Sequence, residues 1–127
     1  MRYLLDTHAI IWYFENSADL PQNIKEIIKT PENDVYVCSI SFLEIAIKVN
    51  LGKLTLGFAF DELLADIKNR DFIILQIENE HLMEFLGLPF IHKDPFDRLI
   101  IASALAEDLT IITIDENIQK YDVKWEW

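Results

Sequence analysis

Two carboxylates stand three residues apart in the stretch HKDPFDRLIIASALAEDL, which runs from His92 to Leu109. Asp94 is followed by Pro95, and Asp97 opens a long apolar run. Asp94 therefore reads as a helix cap, with Pro95 at the favoured first helical position. Asp97, two residues further on, can reach back as the acid of a variant capping box. The other use for such a pair is a metal site, because divalent cations of the magnesium type take oxygen ligands. Asp6 and Asp115 pose the same choice. Each closes a short apolar run, RYLLD or TIITID, and each precedes a helical stretch that it can cap. Glu44 is different. It sits among Phe42, Leu43, Ile45, Ala46 and Ile47, and a Glu in such company is rarely buried without a partner. Lys48, at i+4, is the local partner, but an exposed pair of that kind contributes only about 0.3–0.5 kcal/mol. A cation ligated by several carboxylates accounts for Glu44 better, since it offsets the desolvation of them all.

The elements that must position these acids alternate in type. Residues 2–6, 34–39, 71–77 and 110–115 read as strands, with VKWEW as a further short one. Between them lie helical patterns. THAIIWYFEN turns Ile10, Ile11 and Phe14 inward, and Ile24, Ile27 and Ile28 have helical spacing after Pro21. ISFLEIAIKVNLGKL is apolar on nearly all sides and stops at Gly52. FAFDELLADIKNR and ENEHLMEFLGLP are amphipathic, and His81 in the latter is expected at the surface. This alternation predicts one α/β domain over residues 1–127, a three-layer α/β/α sandwich with a mostly parallel central sheet. Ligands of such sheets bind beyond the carboxyl ends of the strands. Asp6, Glu44, Asp97 and Asp115 all fall at strand ends or in the helix starts that follow them, so one cleft can hold all four.

The bulk numbers narrow the function. The chain is half hydrophobic, with eight Phe, four Tyr and three Trp, enough for a core without cross-links. Cys38 is the only cysteine, so no disulfide forms within the chain, which fits a cytoplasmic location. No signal-peptide pattern opens the sequence, and no stretch of about 18 apolar residues suits a membrane span. The net charge of −11 argues against broad gripping of a nucleic-acid backbone by Lys and Arg. It is compatible with an acidic metal cleft, where the cation itself meets phosphate.

Taken together, LLDTHAIIW, SISFLEIAIKVNLGKL and HKDPFDRLIIASALAEDLTIITID resemble the PIN-domain family, most closely its VapC-type toxins. The resemblance covers nearly the whole chain. Each motif is weak alone, and their order and spacing together are specific. It implies an endoribonuclease, the toxin of a toxin–antitoxin pair, using Mg²⁺ or Mn²⁺. It matches the family's acids to Asp6, Glu44, Asp97 and Asp115, with Thr113 as the accompanying hydroxyl. Asp94 and Thr7 are candidates for support. Many relatives carry an aromatic before the Glu, where this chain has Leu43. The resemblance also implies a homodimer and a small antitoxin partner.

Other residues are candidates for lesser roles. Lys48 and Arg98, with Lys53 and Lys93, lie near the acids in sequence and could touch phosphates at the rim. His8 and His92 are candidates for a general base, against packing or local hydrogen bonding. Trp12, Tyr13 and Phe14 read as core or partner surface in preference to base-stacking platforms. Two further readings compete with the nuclease. One is a PIN-like module that binds RNA or protein without cutting. The other is a phosphatase or receiver fold, which wants an acid where His8 stands.

Overall fold

A computed structural model describes residues 1–127. Five strands form one sheet, β1 (Arg2–Leu5), β2 (Asp34–Cys38), β3 (Ile73–Leu75), β4 (Thr110–Ile112) and β5 (Trp125–Glu126). Their spatial order is β3-β2-β1-β4-β5, and every pair is parallel. Seven helices connect them: α1 (Thr7–Phe14), α2 (Gln22–Lys29), α3 (Ser39–Asn50), α4 (Phe60–Asn69), α5 (Asn79–Gly87), α6 (Pro95–Glu107) and α7 (Glu116–Gln119). The expected α/β sandwich is found, with a sheet that is wholly parallel.

The central strand shows why the fold has three layers. Successive side chains of a strand point to opposite faces. In β1, Tyr3 and Leu5 enter one core, which includes Ile10, Ile24, Ile45, Leu63 and Ile67 from the helices. Leu4 enters the other, with Ile100, Ile101, Ala104 and Ile118. Leu4 and Leu5 are both fully buried, each worth about 2–3 kcal/mol of apolar burial. A strand buried on both faces reads as an uninterrupted apolar run, as RYLL does.

Helix boundaries follow local chemistry. Asp94 caps α6, accepting from the backbone N–H of Phe96 and of Asp97, and Pro95 takes the first turn. Asp108 ends the same helix in the left-handed region at φ 55°. Gly52, at φ +72°, reverses the chain just past α3, where a side chain would be strained.

One expectation is overturned. His81 is fully buried. Its Nδ1 accepts the backbone N–H of Glu78, closing a capping box at the start of α5. Its proton is therefore on Nε2, which donates to Glu107 Oε1 at 2.9 Å. The amphipathic pattern placed His81 outside because it weighed the side chain as polar. The packing of α5 against α6 buries it with both ring nitrogens satisfied.

The strand order also sets the position of the site. From β1 the chain steps outward through β2 and β3, then returns to β4 on the other side of β1. The switch between these directions falls between β1 and β4, the place where sheets of this kind bind ligands in a crevice beyond the carboxyl ends of the strands.

Candidate active site

Asp6 follows β1 at that crevice. Its backbone N–H donates to Ile112 O of β4, so the two strand ends stay joined. The side chain is 3% exposed and both oxygens are engaged. Oδ1 accepts the N–H of Ala9, capping α1, and Oδ2 accepts the Thr113 hydroxyl. Thr113 in turn accepts the N–H of Asp115 at 3.0 Å. Thr113 is thus a link between two of the acids. Asp115 caps α7 through Oδ1, which takes the N–H of Asn117 and of Ile118. Its Oδ2 accepts no hydrogen bond.

Glu44 lies on the second turn of α3 and is also 3% exposed. Thr7, in the first turn of α1, donates its hydroxyl to Oε1 at 2.6 Å and lies 3.1 Å from Ser41 Oγ. Lys48 donates to Oε2 at 2.8 Å. The local i+4 pair therefore exists, and its carboxylate half is buried, where a larger Coulombic attraction is set against the cost of desolvating the charge.

Asp97 lies in the first turn of α6 and is partly open to solvent. His92 Nε2 meets Oδ2 at 3.2 Å, while Oδ1 accepts no hydrogen bond. The roles in this contact follow from the far side of the imidazole. Tyr121 Oη receives two donors, Arg98 Nη1 at 2.9 Å and the His92 backbone N–H at 3.3 Å. Its single hydrogen is left for His92 Nδ1, 2.8 Å away. The imidazole then carries its proton on Nε2 and donates to Asp97. This chain of bonds orients the carboxylate from behind, as partners of a ligand commonly do.

The four acids sense one another. Burial is the main cause that lifts Asp6 to about 6, with Asp115 and Glu44 adding repulsion. Asp97 rises to about 7 through burial first, then repulsion from Asp94, Asp115 and Glu44, against the pull of His92. Lys48 is raised, first by its bond to Glu44 and further by the field of Asp94 and Asp97. Acids drawn from 110 positions of sequence thus share one edge of the sheet. No three His, Cys, Asp or Glu side chains close tightly enough to enclose an ion. Like charges hold apart carboxylates that have only Lys48 among them. The donor set itself, all carboxylate and hydroxyl oxygen, suits a hard divalent cation.

The remaining candidates divide. Asp94 is occupied as a cap and adds negative field to Asp97. Thr7 holds Glu44. Arg98, expected as a phosphate contact at the rim, is corrected: it is 4% exposed. Nη1 donates to Pro89 O and to Tyr121, and the guanidinium lies 4.3 Å from the Phe90 ring centroid. Its planar cation stacks and bonds inward, which a surface reading of a charged residue misses. Lys53 and Lys93 are exposed, His8 is exposed beside the acids, and His92 bonds locally. Tyr121 and Ser41 were not anticipated. Ser41 lies within SISFLEIAIKVNLGKL, where only Glu44 drew notice, and Tyr121 meets His92 across 29 positions.

Comparison with known proteins agrees with this fold. The chain resembles one in the structure of VapBC2 from Rickettsia felis bound to a DNA fragment of its promoter. The TM-score is 0.72 at 18% identity, over 99% of this chain and 98% of that one. DNA-bound VapBC from Salmonella typhimurium gives 0.72 at 16% identity, over 99% and 97%. VapBC-1 from nontypeable Haemophilus influenzae gives 0.66 at 21%, over 99% and 97%. At such identities the likeness is one of fold. A search of curated proteins finds no match. The sequence itself matches the PIN domain model from residue 3 to residue 124, a span that takes in Asp6, Glu44, Asp97 and Asp115. With its parallel sheet and its acids gathered at the switch between β1 and β4, this chain belongs to the PIN domain family.

Proposed function

We propose that the chain is a divalent-metal-dependent endoribonuclease and the toxin of a toxin–antitoxin pair. The observation that carries this reading is the gathering of Asp6, Glu44, Asp97 and Asp115 at one sheet edge with a single ammonium among them. Asp97 and Asp115 each keep an unbonded oxygen to offer Mg²⁺ or Mn²⁺, with Asp6 and Glu44 completing the donor set. A bound cation there supplies a lower pKa for the attacking water and positive charge against the phosphate oxygens that gain negative charge.

The protein's own residues prepare that chemistry. Thr113, Thr7 and His92 fix the rotamers of Asp6, Glu44 and Asp97. His92 keeps its Nε2 proton directed at Asp97, so it holds the carboxylate and is not free to take a proton. Lys48 neutralises Glu44 and sits where an incoming phosphate passes. The fold neighbours are named VapBC and FitAB complexes, which supports a cognate antitoxin as partner. An RNA substrate, a homodimer and a cytoplasmic location belong to the same reading. No helix is long and apolar enough to cross a membrane.

One observation favours the silent module: Lys48 already compensates Glu44, and no ion cage is closed. Cleavage of RNA by the purified protein decides between them. Cutting with Mg²⁺ or Mn²⁺ that stops with EDTA and in Asp97→Asn supports the nuclease. Cutting that survives both excludes this site, and RNA or partner binding with no cutting favours the module. A small reading frame adjoining this one would support the pairing with an antitoxin.

A further inference from the structure

Building on the ribonuclease reading, and departing from the sequence reading of Trp12 as core or partner surface, we infer that His8, Trp12 and Trp127 form a stacking strip that holds a base of the RNA beside the carboxylates. The three rings are in series. His8 and Trp12 are 5.6 Å apart between centroids, tilted by 46°. Trp12 and Trp127 are 5.8 Å apart, nearly edge to face at 62°. His8 and Trp12 are at i and i+4, so they share one face of α1. Trp127 follows β5 and reaches that face from the opposite edge of the sheet.

The strip starts at the acids. His8 comes directly after Thr7, which holds Glu44, and two residues after Asp6. One turn of helix, about 5.4 Å, then separates His8 from Trp12. His8 is exposed, whereas Trp12 and Trp127 are half-buried, resting on the core beneath. The indoles are therefore fixed from below and open above, the form of a platform for a flat ring.

Charge explains why this protein needs one. A chain of net charge −11 has little attraction for phosphates away from the metal cleft. Bases are the uncharged part of a nucleic acid, and stacking on aromatic rings holds them with little regard to sequence. A ring two residues after Asp6, continued by Trp12 and Trp127, can position the strand without adding basic residues to an acidic surface.

The test is binding, so it does not depend on cleavage. Asp97→Asn protein with Mg²⁺ is titrated with a single-stranded RNA of about ten nucleotides, read by tryptophan fluorescence and by affinity. The fluorescence is expected to fall on binding. Adding His8→Ala or Trp127→Ala weakens binding about 5- to 100-fold, while Trp127→Phe keeps most of it. An oligonucleotide with one abasic position, moved along the strand, finds the stacked base: there the affinity drops and the Ala substitutions add no further loss. Mg²⁺ titration of each variant is expected to match the parent, as is the melting temperature of His8→Ala; Trp127→Ala uncovers part of the core and melts lower, so its affinity is read well below that temperature. Unchanged affinity in both Ala variants overturns the strip. So does a loss that is equal for intact and abasic strands at every position. Persistence of cleavage in Asp97→Asn would instead strike the nuclease site, leaving the strip to be judged on binding alone.

Discussion

The two halves of the acidic cluster are built differently. Asp6 and Glu44 are each 3% exposed, and all four of their carboxylate oxygens accept a hydrogen bond. Asp97 and Asp115 are partly open, and each leaves one oxygen unbonded. The first pair is set by the scaffold during folding. The second has lone pairs to spare for whatever arrives. Preorganisation and availability are divided between two pairs of side chains, because one carboxylate with two oxygens cannot supply both.

The division can be broken most sharply at Asp97. Asp97→Asn is expected to reduce RNA cleavage by more than about 100-fold, since it strikes a ligand and not merely the partner of one. Without metal the same change should raise the melting temperature at neutral pH, because it removes a carboxylate whose charge the fold opposes. Loss of stability in that variant would mean that Asp97 belongs with the scaffold pair.

Acidity tests the cluster as a whole. Folding raises Asp6 to about 6 and Asp97 to about 7 from 3.8. The folded state therefore holds its protons more tightly than the unfolded chain. The resulting stability is fully present below the unfolded value and is lost as pH rises through about 6 and then 7. In EDTA, the melting temperature should fall by several degrees from about pH 5 to about pH 8. Mg²⁺ at the upper pH should restore it, as a ligand of the folded state does. A melting temperature flat in pH would show that the fold does not oppose the charges of Asp6 and Asp97.

Lys48 tests the scaffold pair. Lys48→Met leaves the buried Glu44 with one hydrogen bond fewer and no counter-charge. The expected cost is about 1–2 kcal/mol in EDTA, moderated because the ammonium is partly exposed. Mg²⁺ affinity should rise at the same time, measured by calorimetry, because a competing cation has gone. Tyr121→Phe gives the smallest effect, a loss of up to about 10-fold in metal affinity. It frees the His92 imidazole to turn and removes one of the two acceptors of Arg98 Nη1, leaving Pro89 O, with the Asp97 carboxylate otherwise intact.

Much of this was legible in the residues. Strands and helices declared themselves through apolar periodicity and through Pro95, Gly52 and the capping acids. Asp6 and Asp115 could be placed at strand ends because RYLL and TII are short, unbroken apolar runs. Strand order was not legible, because it depends on pairings between segments as distant as Tyr3 and Thr110. The same limit hid Tyr121 and misplaced His81 and Arg98. Each of these polar groups is satisfied by a partner far along the chain: Glu107 for His81, Tyr121 for Arg98. Helical pattern registers only that they are polar.

The central place of β1 bears on when the acids can meet during synthesis. β1 is flanked on one side by a strand that begins only at Thr110. Asp6 is made before Thr113 and Asp115 and must wait for both, so no translation product that stops short of Asp115 holds all four acids. If the proposed ribonuclease reading holds, interrupted synthesis yields fragments without the complete site. The site is then completed in a single step, when the last acid meets the first.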